Sequence, residues 1–251
     1  MPATPAWPPS SLPRLYVDQP LSEGAQIELA GPQAHYLSGV LRLAAGAQVK
    51  LFDDRSGEWL AAIAEAGRKR LTLRILRHLR EREPVPNLWL LFAPIKRGRI
   101  DWLVEKATEL GVARLVPVVT RRTIVDRLNG ERLRAHIVEA AEQCERTALT
   151  ELAETVSLEA LLKGWPDGRM LLFADESGGV PLAEAVAAGP AAILIGPEGG
   201  FTDEERAAIR AIPQARAVSL GPRILRADTA AIAAVSLWMG AAGDWRRHAE
   251  R

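Results

Sequence analysis

Two rhythms of apolar and polar positions divide the chain. From residue 14 to about 82 the segments are short and β-like, at 14–17, 26–29, 48–52, 59–64 and 70–76, and apolar positions alternate with polar ones at 26–29, 48–51 and 70–75. Gly24, Gly31, Gly46, Gly57 and Gly67 punctuate them. Period two is the spacing of a strand that buries one face. Five such strands separated by glycine turns predict a small β-barrel, with one helical turn around 34–41. The segment ArgGluProValPro at 82–86 reads as a stiff linker. Beyond it, short strands alternate with helical patterns. The strands fall at 87–94, 114–119, 152–156, 169–174, 191–195 and 215–220. The helices fall at 99–110, 131–147, 157–163, 181–188, 202–211 and 229–240. Over 99–110, Ile100, Leu103, Val104, Ala107 and Leu110 share one face, and Gly111 supplies a C-terminal stop. Strands apolar on both faces, such as AlaAlaIleLeuIle at 191–195, predict a parallel sheet covered by helices on both sides. The fold class is therefore α/β. A small β-barrel domain is expected over 14–82 and an α/β domain over 87–251, behind a Pro-rich leader at 1–13 that is expected to be flexible.

Composition narrows the function classes. The 251 residues are 48% hydrophobic and 25% charged, which excludes wholesale disorder. No apolar run reaches the roughly 18 residues needed to cross a bilayer; 230–242 comes nearest and reads as a buried helix. The first residues lack the basic start of a secretion signal. A single cysteine, Cys144, excludes an intramolecular disulfide and a Cys-rich zinc site, and four scattered histidines make a metal centre unexpected. A cytoplasmic protein with no membrane contact and no metal is expected. Cys144 lies on an apolar-periodic helix and is expected to be packed rather than nucleophilic. Net charge is +1, yet residues up to Arg82 carry 11 basic and 8 acidic side chains, so the first part is the more suited to a polyanion. Arginine supplies 27 of the 32 cations; its fork binds phosphate and its plane stacks on bases.

In open α/β sheets, ligands bind beyond the carboxyl ends of the strands. Two loops there are unusual. IleGlyProGluGlyGlyPhe at 195–201 packs three glycines and a proline between a buried strand and a helix, giving a tight backbone that a ligand can approach closely. The following helix has a capping box, with Thr202 as N-cap and Glu205 three residues on. Asp203, Glu204 and Glu205 occupy the positive helix start, so a polyphosphate would meet repulsion there, whereas a neutral or cationic ligand such as an adenosine bearing a sulfonium would not. The P-loop Lys–Ser/Thr and the dinucleotide GxGxxG are both missing. The second loop, SerLeuGlyProArgIleLeuArgAlaAspThrAla at 219–230, also leaves a strand at a glycine and opens an apolar helix, with Arg223 and Arg226 beside the expected ligand. The two loops are expected to form one pocket. LysArgGlyArg at 96–99 suits RNA phosphate, and ArgLysArgLeuThrLeuArgIleLeuArgHisLeuArg at 68–80 reads as a β-ribbon with one cationic, RNA-facing side.

These loops, with ArgLeuTyrVal at 14–17, the HisTyrLeu and ValLeuArgLeu strings within 35–43, the LysArgGlyArg to GluLeuGlyVal stretch at 96–112 and AlaGluGlnCysGluArg at 141–146, resemble one family along nearly the whole chain. It is the 16S ribosomal RNA (uracil(1498)-N(3))-methyltransferases of the SPOUT superfamily. The resemblance implies a PUA-like β-barrel RNA-binding domain followed by a SPOUT domain with a deep C-terminal trefoil knot. It implies a homodimer formed through the knot region. The cofactor would be S-adenosyl-L-methionine, held by Leu172, Ile195, Gly196, Gly200, Ser219, Leu220, Gly221, Ile224 and Leu225. The substrate would be 16S ribosomal RNA or the assembled small ribosomal subunit. The RNA-binding candidates are Arg14, Arg70, Arg74, Arg77, Lys96, Arg97, Arg99 and Arg146. The sequence departs from the family pattern at Ala227 and Asp228 (usually Thr-Glu), at Cys144 (often Ser) and at Thr150 (usually Pro).

Methylating N3 of uracil requires its imide proton to be weakened or removed, and a cation near a uracil carbonyl stabilises the anion that forms. Arg226 is the first choice for that role, Arg223 the second. Glu198 and Asp228 are the candidate bases, with solvent as the alternative. Three rival readings stand beside this one: a SPOUT methyltransferase acting on transfer RNA or another ribosomal site, a non-catalytic RNA-binding relative, and a nucleotide-dependent α/β enzyme using the 195–201 loop for phosphate.

Overall fold

The computed structural model describes residues 12–67, 70–125 and 127–246. Residues 1–11 of the expected leader, and Arg68 and Lys69 of the basic ribbon, lie outside the described residues. The chain forms two compact units. One takes the chain up to Pro84 together with Ala141–Ala148; the other takes Val85–Ala140 and Leu149 onward.

The first unit holds a five-stranded sheet of β1 (Arg14–Tyr16), β2 (Gln26–Ala30), β3 (Gln48–Phe52), β4 (Glu58–Ala66) and β5 (Arg70–Arg80), in the order β1-β3-β4-β5-β2. β1 runs parallel to β3, and the other pairs are antiparallel. The alternation in β5 places Leu71, Leu73 and Ile75 in the core and Arg74 outside. Register shifts between Leu60 and Ala61 and between Ile63 and Glu65 bend β4, as bulges do. The turn expected at 34–41 is α1 (Gly31–His35) running into one π-helical turn, Tyr36–Val40. At the β3–β4 turn, buried Asp53 accepts the Ser56 and Arg55 amides at 2.7 and 3.0 Å and the Ser56 hydroxyl at 2.8 Å. Burial pushes this carboxyl up, but the Ser56 and Arg55 amides outweigh it and hold it below the usual aspartate range.

The helix expected over 131–147 ends early, at Gln143, and its last residues from Ala141, with the loop after it, belong with the first unit rather than the second. Arg14 explains both facts. Its guanidinium donates to the Ala141 carbonyl at 2.7 Å and to the Arg146 carbonyl, while its Nε binds Glu58 at 2.5 Å. Arg80 also reaches the Glu145 carbonyl at 2.5 Å. These bonds satisfy carbonyls that a continued helix would have used, and Glu145 turns left-handed at φ 63°. Cys144 is accordingly exposed, not packed as expected.

The second unit is built on one parallel sheet. Its strands are β6 (Leu88–Phe92), β7 (Arg114–Val119), β8 (Glu151–Leu152), β9 (Val156–Ser157), β10 (Met170–Ala174), β11 (Val180–Pro181), β12 (Ala191–Ile195) and β13 (Ala215–Ser219). They lie in the order β11-β13-β10-β12-β6-β7-β8, with β9 also on β7. The helices are α2 (Arg97–Glu109), α3 (Gly130–Gln143), α4 (Leu158–Lys163), α5 (Leu182–Ala185), α6 (Asp203–Arg210) and α7 (Ala227–Ala241). Neighbouring residues in one strand feed opposite faces. Leu172 and Ile193 pack into the cluster with α2 and α7, whereas Leu171 and Leu194 pack into the one containing Phe201 and Ile209 of the α6 side. Both faces are thus covered, which is why these strands read as unbroken apolar runs.

Two elements differ from the periodic reading. The strand expected over 152–156 is two short bridges, and the helix expected over 181–188 is only Leu182–Ala185. The latter ends at Val186, which is already extended at φ -70° and ψ 130°. Among the described residues, no helix is long and apolar enough to cross a membrane, and no three His, Cys, Asp or Glu side chains gather as metal ligands.

Candidate functional site

The strand order β13-β10-β12 brings three carboxyl ends side by side, at Ala174, Ile195 and Ser219. The loops leaving them surround one cleft of about 430 Å³. The sequence separates the 195–201 and 219–226 loops by some twenty residues. β13 returns on the far side of β10 from β12, and the cleft lies across that crossing. Such switch points are where α/β sheets leave room for ligands.

Most of the expected cofactor residues line the cleft: Ile195, Gly196, Gly200, Ser219, Leu220, Gly221, Ile224 and Leu225. Leu172 does not. It is fully buried in the helix-facing core, because its position in β10 points into the sheet face rather than past the strand end. Glu198 and Arg223 line the cleft and are exposed. Arg226 is the N-cap residue of α7, exposed and next to the lining residues Leu225 and Ala227, but it is not itself part of the wall. Ile224, among the cleft-lining residues, is 94% exposed.

The backbone is shaped by glycine at two places. Gly200 sits at φ 67°, and a Cβ there would stand 2.2 Å from Oε1 of Glu176. A Cβ on Gly196 would lie 3.0 Å from the ring of Phe201, which is fully buried edge-on to Phe173. The expected capping box is present: Thr202 Oγ1 accepts the Glu205 amide at 3.2 Å, and Glu205 Oε2 accepts the Thr202 amide at 2.9 Å. The other oxygen of Glu205 accepts the Arg121 amide at 2.7 Å, and Arg122 donates to the Gly199 carbonyl at 2.6 Å. Those two bonds fasten the loop after β7 to the first turn of α6 and to the glycine loop, a role the sequence gives to neither arginine.

One wall is acidic. Asp175 and Glu176, just past β10, line the cleft with Glu198. The Asp175 side chain is wholly buried; its Oδ1 accepts from Ser177 Oγ at 2.7 Å, the Ser177 amide at 3.0 Å and Arg206 Nε at 3.2 Å, and its Oδ2 from Arg210 at 2.8 Å. Burial pushes this carboxyl up, but the Ser177 and Arg206 donors overcome it and hold it below the usual range. The sequence reading missed this pair. Its only available signal was an acidic dipeptide at a strand end, because the partners Arg206 and Arg210 lie some thirty residues away.

The RNA-binding candidates separate into several groups. Arg74 and Arg77 are exposed on β5, and Arg70 is exposed but paired with Glu28 at 2.6 Å. Lys96 is exposed at the start of α2. The side chain of Arg97 lies outside the described residues. Arg99 is bound to Asp228, at 3.0 and 3.2 Å. Arg14 and Arg146 are corrections. Arg14 is buried between Glu58 and the 141–146 carbonyls, over the Phe52 ring at 3.9 Å. Arg146 is buried with its Nε 3.6 Å from Glu83. Both organise the first unit and present no guanidinium at its surface.

Residues 81–239 match the RNA methyltransferase domain family, and residues 29–76 match the RNA methyltransferase PUA domain. The ribosomal RNA small subunit methyltransferase E of Rickettsia conorii is 32% identical over 229 residues, covering 89% of this chain and 93% of that protein. A crystal structure of the Neisseria gonorrhoeae protein of the same name, bound to S-adenosyl methionine, superposes with a TM-score of 0.85 at 28% identity, covering 93% of this chain and 99% of that one. A Legionella pneumophila protein solved with bound cofactor SAM gives 0.84 at 30% identity, covering 92% and 98%.

Proposed function

The chain belongs to the RNA methyltransferase family, and on that footing we propose that it transfers the methyl group of S-adenosylmethionine to N3 of one uridine, the position-1498 type, in 16S ribosomal RNA. The observation that carries this reading is the single cleft between the two glycine loops. Its wall is acidic and its helix start is already capped by Glu205, so it suits an adenosyl sulfonium and not a phosphate chain. The backbone around Gly196, Gly200 and Gly221 approaches closely enough to read base edges, and Leu220, Ile224 and Leu225 supply apolar cover. When bound, S-adenosylmethionine supplies an activated methyl group, so no metal is required.

The protein's own residues have three tasks. The loops hold the donor and the target base in line. Arg226, with Arg223 beside it, stabilises negative charge on a uracil carbonyl as N3 loses its proton. Glu198 on the cleft wall accepts that proton; Asp228 is less suited, because Arg99 already binds its carboxylate. The exposed cations Arg74 and Arg77 grip RNA phosphate. The protein works in the cytoplasm as a homodimer, supported by the apolar outer face of α7, where Leu237 is 46% exposed. The loops thread as the trefoil knot that the resemblance implies, in keeping with the non-sequential strand order.

The test is mass-spectrometric mapping of ribosomal RNA from a strain lacking the gene, with methyl transfer by the purified protein to small subunits from that strain. Loss and restoration of one N3-methyluridine are expected. An unchanged 16S map with a change in transfer RNA would reject the assigned substrate.

A further inference from the structure

The proposed chemistry leaves one wall residue unused. Glu176 faces the cleft with its side chain 47% exposed, yet it is held in place. Arg206 Nη2 donates to its Oε1 at 2.5 Å, and the same guanidinium is fixed by Asp175 at 3.2 Å and Asp203 at 3.0 Å. Asp175 in turn is wholly buried and held by Ser177 and Arg210. The carboxylate lies directly over the Cα of Gly200, where any Cβ would strike it. Arg206 occupies one oxygen; among the described residues no donor occupies the other, Oε2.

A fixed carboxylate with one engaged oxygen, set in the wall of a nucleoside-sized cleft, has a limited choice of ligands. A phosphate is repelled by it. An ammonium at Oε2 would stand against the Arg206 guanidinium across a few ångströms, and like charges at that range oppose one another. A neutral hydroxyl meets neither objection and donates a charge-assisted hydrogen bond. We infer that Glu176 is a specificity-determining residue that accepts a hydrogen bond from a ribose hydroxyl of the adenosyl donor, with Arg206 and Asp175 as its positioning residues. This rests on the methyl-donor reading above and extends it to the ribose of that donor.

Calorimetry on the full-length protein tests it, using S-adenosylhomocysteine and its 2′-deoxy and 3′-deoxy forms. Glu176→Ala should weaken the parent ligand about tenfold, the size of one hydrogen bond to a charged acceptor, with Glu176→Gln between the two. One of the deoxy ligands should bind the wild type about tenfold more weakly than the parent does, and should be insensitive to Glu176→Ala. Unchanged parent affinity in Glu176→Ala overturns the inference. So does an equal loss for the parent and both deoxy ligands, which would mean that the carboxylate only shapes the loop. If the wild type binds none of the adenosyl ligands, the methyl-donor reading itself fails, and this inference fails with it.

Discussion

Asp175→Asn tests whether the acidic wall is a built support or a chance cluster. The carboxylate accepts four hydrogen bonds, two of them from guanidinium groups, and its side chain is wholly buried. The amide keeps the shape but turns one acceptor into a donor facing Arg206 or Arg210. Breaking a buried ion pair costs about 3–5 kcal/mol when the surviving charge is stranded. Here the survivors are not stranded: Arg206 keeps Asp203 and Glu176, and Arg210 is half exposed and regains water. The expected loss is therefore lower, about 2–3 kcal/mol. At roughly 2–4 °C per kcal/mol for a unit of this size, the melting temperature should fall by about 4–12 °C at pH 7. The pH dependence carries a second test. Because the folded carboxyl titrates below its unfolded value, its contribution is complete above about pH 4 and is lost as pH falls through the folded value. Thermal unfolding of wild type and variant should therefore converge as pH drops below about 4. A melting temperature within a degree of wild type at pH 7, or a gap that does not narrow in acid, would refute the reasoning.

Gly196→Val must push the buried Phe201 ring, 3.0 Å from the new Cβ, off Phe173; overpacking of this kind costs about 1–3 kcal/mol, and calorimetric binding of S-adenosylmethionine should be lost. Near-normal affinity would place the pocket elsewhere. Arg226→Ala, exposed and outside the cleft wall, should keep cofactor affinity within about twofold while single-turnover methyl transfer falls about 10²–10³-fold, the usual effect of removing one oxyanion donor. Unchanged turnover would remove Arg226 from the chemistry. Reversing Arg74 and Arg77 to Glu should weaken RNA binding and flatten its salt dependence by about 0.7–0.9 for each phosphate that is no longer neutralised; an unaltered slope would mean that β5 does not touch RNA.

Local chemistry was readable where a residue acts on its own neighbours. The β7 and β12 boundaries, 114–119 and 191–195, and the capping box at Thr202 and Glu205 all stand where the apolar pattern and the cap residues put them. What was not readable depends on partners distant in the chain. Arg14 stands among the RNA-binding candidates because nothing beside it in the chain announces Glu58 and the Ala141 carbonyl, the distant partners that bury it. The same bonds cut α3 short and exposed Cys144, although the apolar period ran on to 147. Leu172 is a cofactor candidate through the resemblance alone, yet it stands at the middle of β10, two residues short of the strand end, with its side chain fully buried. The supports of Asp175 and Glu176 were invisible for the same reason: the acids were in view, and their arginines lay a helix away.

The departure at Ala227 and Asp228 is explained by the same kind of distant pairing. Asp228 stands in the first turn of α7, where the helix start favours an anion, and both its oxygens lie 3.0–3.2 Å from one nitrogen of Arg99. A carboxylate engaged in that way is a poor proton acceptor but a firm anchor: it ties α7 to α2 at the residue that follows Arg226 and Ala227. Ala227 is buried and small, so α7 can begin directly beneath the loop and leave Arg226 as its exposed N-cap. The shorter acid thus fits an anchoring task, fixing the first turn of α7 to α2.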